Sequence, residues 1–344
     1  MSPESLRGRL RENVFDYEAM HGLLAHYRAM GELDAAWCIA HVLVFLKKAA
    51  RAEELLHEEH RPRELPKARQ PLPEGVLRRH VAHPDQDLYL TCVFGLAARG
   101  VAMWRAVRPP VMLKPHKRID VSTDAAPISR MTAYVAKVLD VVLPELYLRP
   151  EDLGDLELMN LQRDGRLCPT MVVLQSLLQG RTDAQLAFSL GRSMVDLYPP
   201  HFCLVAVDRS PQALELVLMA CLRSAGVPVE GDAAALDQVA RELLGRMDPA
   251  TRESLQSMAR RLVASGGSLD VKRWVLAAEL TANRVGFLLC GELQAAAQMI
   301  SQEQAPLRKG MTLGPRDKIK ELVEYGISED YFAARRAIGV SVGG

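Results

Sequence analysis

The sequence has few aromatic residues and almost no net charge. The low net charge argues against nucleic acid and anionic membranes as partners. Aromatic side chains make up 5% of the 344 residues, and the formal net charge at pH 7 is +1. A protein that binds nucleic acid or an anionic membrane through its electric field needs a positive excess that this chain lacks. One basic segment, with Lys114, His116, Lys117 and Arg118, is too small to change that expectation. Nucleic acid is therefore not an expected partner.

Paired cysteines, long apolar runs and common catalytic motifs are also missing. None of the six cysteines has CxxC spacing, and most lie in apolar runs, as is typical of reduced cysteines in a cytosolic protein. The N-terminus has no apolar signal core, and the longest uncharged apolar run, Ala35 to Leu46, is too short to span a bilayer. No Gly-rich phosphate loop and no GxSxG motif occurs. We therefore predict a cytoplasmic location without membrane insertion.

The residues that are present favour helices over most of the chain. Hydrophobic residues make up 49% of the chain, and Leu and Ala dominate, which favours helices packed on helices. Residues 1–60 are predicted to contain helices at Tyr17 to Met30, Leu33 to Ala49 and Arg51 to His60. The first two, with small residues at their crossing, resemble one tetratricopeptide (TPR) unit, although no repeat period is found.

Prolines mark the next boundary. Residues 61–143 are predicted to form a proline-rich linker and a helical connecting region that includes a helix over Pro127 to Leu143. Residues 144–300 form the predicted main domain, and residues 301–344 are C-terminal helices and a tail.

Strand patterns appear only at the start of the main domain. Glu145 to Arg149 is a strand candidate, and Leu156 to Leu161 and Leu167 to Val173 flank an Asp-Gly turn, as in a β-hairpin. Helices follow, including Asp183 to Leu197 and Ser268 to Cys290. Between them, Ser210-Pro211 predicts the start of another helix, with a capping serine and a proline at the first position. The predicted fold class is mainly α, of α+β type, with a small sheet.

Two segments carry the functional prediction. Residues 186–196 read LAFSLGRSMVD, and residues 278–286 read AELTANRVG. With the preceding hairpin, they resemble the gluzincin zinc peptidases, which include the CAAX-prenyl protease and HtpX-type peptidases. In that family, HExxH on the first helix supplies two zinc-binding histidines and a general base, and ExxAD on a later helix supplies a glutamate ligand.

The resemblance implies a site that has lost its metal chemistry. Arg192 and Asp196 occupy the histidine positions, Ser193 occupies the general-base position, and Glu279 and Asn283 occupy the first and last positions of ExxAD. An arginine cannot ligate zinc because it stays protonated, and a serine is too weak a base to activate water. No metal or cofactor is therefore expected. Our hypothesis is that the Arg192 guanidinium takes the place of zinc between the carboxylates of Asp196 and Glu279.

The resemblance also implies a role without catalysis. Peptidase clefts bind substrate as an added strand, which requires backbone groups and not a metal. We therefore predict a non-catalytic interaction or scaffold protein, a pseudoenzyme, that binds a protein or peptide partner in the old cleft. The residues predicted to pair with the peptide are Leu167, Thr170, Met171, Val172 and Val173.

Two alternatives stay open. The chain could be a metal-dependent hydrolase with altered ligands, using Asp196, Glu279 and His201, and the metal content of the purified protein would distinguish it from a pseudoenzyme. A purely structural domain without a cleft is the other. His57 and His60 have nearly the spacing of a metal motif, but they are predicted to lie at a solvated helix end.

Overall fold

The computed structural model describes residues 2–109, 113, 118–303 and 313–343. The fold is mainly helical with one small mixed sheet, which confirms the predicted class. The helices before the hairpin are α1 (Pro3–Glu12), α2 (Tyr17–Ala29), α3 (Leu33–Phe45), α4 (Arg51–His60), α5 (Glu74–Val76), which continues as a π-helix (Leu77–Val81), α6 (Leu88–Arg105) and α7 (Pro127–Leu139).

Helices also follow the hairpin, and three of them were not predicted, namely α8, α10 and α12 in the numbering used here. They are α8 (Gln175–Leu178), α9 (Asp183–Met194), a short 3-10 helix (Val195–Leu197), α10 (Pro199–Ala206), α11 (Pro211–Ser224), α12 (Ala233–Leu244), α13 (Pro249–Ala264), α14 (Val271–Cys290), α15 (Leu293–Ser301), α16 (Pro315–Gly326) and α17 (Glu329–Ile338).

Local residue choices explain several helix ends. Asp16, Thr182 and Ser210 accept hydrogen bonds from backbone N–H groups in the first turns of α2, α9 and α11. Asp140, with a φ of 51°, ends α7 in the left-handed conformation, four residues before the predicted end at Leu143. The predicted helix over Asp183 to Leu197 likewise ends early, because its last turn tightens into the 3-10 helix.

The sheet has four strands in the order β1-β2-β4-β3. They are β1 (Arg118–Ile119), β2 (Glu145–Arg149), β3 (Leu156–Arg163) and β4 (Arg166–Leu174). The predicted hairpin is confirmed as β3 and β4. Both of its turn residues, Asp164 and Gly165, have positive φ, as the common two-residue hairpin turn requires.

Strand β4 is internal, and this corrects the predicted peptide-binding strand. From Thr170 to Leu174 it pairs with β2, and from Arg166 to Val173 it pairs with β3. Thr170, Met171, Val172 and Val173 therefore have neighbours on both sides and cannot accept another strand, and Leu167 already pairs with Gln162. Pro169 is tolerated in this internal strand because it lies just outside the segment that pairs with β2.

Most of the hydrophobic core is shared among the predicted domains. One large cluster joins α2 and α3 to α7, α9 and the C-terminal helices α15 to α17. A second cluster joins α6, α10, α11 and α13. Helix α14 contributes Phe287 to the first cluster and Trp274 to the second, both fully buried, so it lies between the two.

Helices α9 and α14 cross in close contact at two glycines. A Cβ atom on Gly286 would lie 2.6 Å from the carbonyl oxygen of Phe188, and a Cβ on Gly191 would lie 3.3 Å from the Cα of Gly286. The first distance is too short for any real contact, and a backbone oxygen cannot move aside without shifting α9. The absence of side chains here brings the two motif-bearing helices together.

Gly286→Ala is therefore expected to lower the free energy of unfolding by about 2 kcal/mol, through overpacking. Urea denaturation measures the change. Gly8→Ala is the matched control, because a Cβ on Gly8 in α1 would meet nothing within 4 Å. That variant should gain roughly 0.5–1 kcal/mol from the lower entropy of its unfolded chain. Equal effects of the two substitutions would contradict the close crossing.

Candidate functional site

The crossing of α9 and α14 brings Arg192 beside Glu279. Their closest charged atoms, Arg192 Nη2 and Glu279 Oε1, lie 3.6 Å apart, and the side chains are 8% and 1% exposed. Two residues from distant parts of the chain join them, Glu303 just after α15 and Lys318 in α16. Together these four residues are called the charge cluster below: Arg192, Glu279, Glu303 and Lys318.

Among the described residues, Lys318 is the cation nearest to Glu279. Its Nζ lies 2.6 Å from Glu279 Oε1 and 2.7 Å from Glu303 Oε2, and its side chain is 2% exposed. Arg192 Nη1 donates to the other oxygen of Glu303. Two cations and two carboxylates alternate, so the cluster is neutral, which offsets part of the large cost of burying each charge.

Asp196 does not take the place that the sequence predicted for it. Its Oδ2 lies 2.6 Å from Arg209 Nη1, and its Oδ1 lies 3.5 Å from His201 Nδ1. The expected pair with Arg192 assumed a continuous α-helix, in which residues four apart share a face. Because α9 ends at Met194, Asp196 belongs to the 3-10 helix and points elsewhere.

The other two predicted residues lie apart from these ion pairs. Ser193 is half-buried and lines a groove beside α9. Asn283, one turn beyond Glu279 on α14, is fully buried, and neither of its amide atoms has a hydrogen-bond partner among the described residues. A buried amide in this state fits a bound water that bridges it to its surroundings.

The charge cluster does not suit a divalent metal. Glu279 is the carboxylate that the resemblance assigns to a metal, and the Lys318 ammonium lies within 2.6 Å of it. A metal ion would have to displace that ammonium, and Arg192 cannot serve as a ligand. Within residues 2–109, 113, 118–303 and 313–343, no group of three or more His, Cys, Asp or Glu side chains is arranged to hold a metal ion.

A groove of about 840 Å³ runs between β3 and α9. Residues 156–161 of β3 form one wall, and Arg192, Ser193, Met299 and Glu303 lie along the other side. Leu153, 76% exposed, stands at its rim. A groove is therefore present beside the first motif helix. The edge strand β3 forms its wall, and β4 contributes its last residue, Leu174.

The free edge of β3 faces away from β4. Val107 shows which groups point outward, because its N–H donates to the Asn160 carbonyl and its carbonyl accepts from the Gln162 N–H. Backbone groups of alternate residues point the same way along a strand, so those of Leu156 and Leu158 also point outward. Within the described part of the chain, none of these groups has a hydrogen-bond partner outside the sheet.

The structure also corrects the prediction for His57. It was predicted to be solvated, but it is buried, and its Nε2 lies 3.0 Å from His41 Nδ1. The Leu293 N–H donates to His41 Nε2, so the hydrogen of His41 lies on Nδ1 and points to His57. Burial, more than the nearby His57, Arg335 and Arg61, lowers the pKa of His41 to about 3. Burial also lowers the pKa of His57.

Comparisons with known proteins give no relative for this arrangement. No family model, curated protein or solved structure matches the chain. The resemblance to zinc peptidases and to a TPR unit thus stays a prediction from the residues. In the described residues, no helix is both long and apolar enough to cross a membrane. Lys114, His116 and Lys117 of the basic segment, and residues 304–312 of the predicted C-terminal loop, lie outside the described residues.

Proposed function

We propose that this protein is a non-catalytic binding protein that takes an extended peptide along the free edge of β3, in the groove beside α9. The observation that carries the proposal is the outward row of backbone groups at Leu156 and Leu158, which faces a groove and has no partner among the described residues. A row of this kind is a template for an added strand.

The groove offers pockets as well as backbone groups. Leu153, Leu158, Val205 and Met299 give it an apolar lining, which suits alternate apolar side chains of an extended segment. Val107 already pairs with the other end of the same edge. The edge thus already accepts a neighbouring segment at residues 160–162, and its uncovered part lies at Leu156 and Leu158.

The absence of catalysis is part of the proposal and is supported by chemistry. Ser189 and Ser193 are the hydroxyl groups that α9 contributes to the groove beside Arg192, and a serine without an adjacent base does not activate water. The carboxylate of Glu279 lies among cations and is 1% exposed, so it does not reach a bound peptide as a base. The cytoplasmic location stays a prediction.

The test is a pair of substitutions at one residue. Since the Leu158 N–H points away from β4, Leu158→Pro removes an outward donor without breaking a hydrogen bond to β4. Leu158→Ala removes the side chain and keeps the donor, so it is the matched control. A fluorescein-labelled library of hexapeptides with alternate apolar residues supplies the probe, and anisotropy measures binding.

We expect Leu158→Pro to bind the best peptide at least about tenfold more weakly than Leu158→Ala does. One lost hydrogen bond and a distorted edge have an effect of this size. Circular dichroism must show that both variants are folded. Equal binding by the two variants would exclude strand addition at this edge. A library in which no peptide binds the wild-type protein would exclude the proposed function itself.

A further inference from the structure

Glu303 differs from the other members of the charge cluster by its position. Arg192, Glu279 and Lys318 lie within helices, whereas Glu303 follows the end of α15 and reaches back to the cluster. Its side chain is 12% exposed, against 8%, 1% and 2% for the others. Glu303 and Arg192 also line the groove. The carboxylate of Glu303 is therefore the cluster's anion that faces the groove.

The charges of the cluster require a carboxylate at this point. Arg192, Lys318 and Glu279 together carry a charge of +1, and the Glu303 carboxylate neutralises it. One oxygen of Glu303 accepts from the Arg192 guanidinium and the other faces the Lys318 ammonium. A planar carboxylate between two buried cations is held by charge-assisted hydrogen bonds on both oxygens, the strongest type available to it.

We propose that the place of the Glu303 carboxylate is a receptor for a carboxylate of the bound peptide, and that Glu303 is a built-in competitor for it. This inference rests on the proposed function for the peptide, but the receptor itself can be tested without one. The carboxylate could be the peptide's C-terminus or an acidic side chain. In either case it would enter from the groove and bind between Arg192 and Lys318 while Glu303 swings out to solvent.

Chemical rescue tests the receptor directly. Glu303→Ala leaves a space beside Arg192 and Lys318 and removes one negative charge from the cluster, and we expect its melting temperature to fall by roughly 5 °C. Sodium acetate should raise it again in a saturable way, because a ligand that binds only the folded state stabilises that state. Acetamide, which has the same shape without the charge, and sodium chloride at equal ionic strength should not.

Two variants serve as controls. Glu303→Gln loses the same charge, but its side chain fills the space, so acetate should not raise its melting temperature. Glu292→Ala removes a carboxylate that pairs with the exposed Arg61, and acetate should not change its melting temperature specifically. If Glu303→Ala does not fold alone, recovery of folded protein during refolding in acetate, and not in acetamide, is the same test. Equal responses to acetate and acetamide would overturn the proposal.

A second experiment, with peptides, identifies whether the bound carboxylate is a C-terminus or an acidic side chain. The best hexapeptide from the library is made with a free C-terminus or a C-terminal amide, and with Glu or Gln at its last position. Glu303→Ala should bind the form with the required carboxylate about tenfold more tightly than wild type does, because the space is open and the competitor is gone. The forms without it should bind both proteins equally.

The two proposals fail in different ways. Rescue by acetate without any peptide binding would keep the receptor and remove strand addition at β3. Peptide binding that is insensitive to Glu303 and to every carboxylate would keep strand addition and remove the receptor.

Discussion

Replacing Lys318 by methionine is expected to lower the free energy of unfolding by about 3–5 kcal/mol, the usual cost of removing one partner from a buried ion pair. The Lys318 ammonium lies 2.6 Å from the Glu279 carboxylate, and it also contacts Glu303. Without it, two carboxylates would share the single positive charge of Arg192. Urea denaturation at pH 7 gives the free energy.

Lys320→Met is the control for this substitution, since Lys320 is exposed on the same helix. Its effect should stay within about 0.5 kcal/mol, as for most surface substitutions. Adding Glu279→Gln to Lys318→Met should recover part of the loss, because the double variant buries one carboxylate fewer. A loss below about 1 kcal/mol for Lys318→Met would show that the cluster does not depend on this ammonium.

Acid is expected to destabilise the protein through His41. Its pKa is about 3 in the folded state, against an ordinary histidine pKa of 6.5 in the unfolded chain, so the unfolded chain binds more protons between these values. Stability is therefore fully present above about pH 6.5 and is lost as the pH falls toward 3. The full shift corresponds to roughly 5 kcal/mol, and His57 adds a loss of the same sign.

The pH range from 6.5 to 5 lies above the normal pKa values of carboxylic acids. Burial also shifts the pKa values of His57, His83 and Glu321. The difference between wild type and a variant at His41 is therefore what reports this residue. His41→Gln keeps an acceptor for the Leu293 N–H and cannot be protonated. Urea denaturation across this range should show a smaller loss of stability for the variant than for wild type. Equal slopes would exclude His41 as the titrating group.

Much of the fold could be predicted because its signals are local. The Asp164-Gly165 turn between apolar runs predicted the hairpin, and Ser210-Pro211 predicted the start of α11. Helices α8, α10 and α12 were missed. In α10, the Pro199-Pro200 pair was not interpreted as a helix start, although proline suits the first helical turn.

The order of strands could not be predicted from strand patterns. Strand β4 was assigned to the cleft because the resemblance to zinc peptidases places it next to the first motif helix, but its apolar residues are typical of an internal strand. Leu156 and Glu157 on β3 have the mixed character of an edge. The strand that could accept a peptide was thus the less apolar one, and only the pairing with β2 reveals this.

The candidate site was predicted only in part, because half of the charge cluster comes from residues outside both motifs. Glu303 and Lys318 lie beyond the segments that carry the resemblance. One signal could have identified Lys318. It precedes Leu322 and Tyr325 at positions i, i+4 and i+7, so a lysine occupies the buried face of α16. A charge at such a position requires a buried partner.

Val107 limits the part of β3 that any added strand can pair with. It covers the edge at residues 160–162, so an added strand has only residues 156–159 to pair with, about 13 Å of backbone. A longer extended segment would collide with Val107 and would have to end or bend there. The groove therefore limits the length of the strand that can be added to β3. It favours a chain terminus or a tight bend over the middle of a long strand.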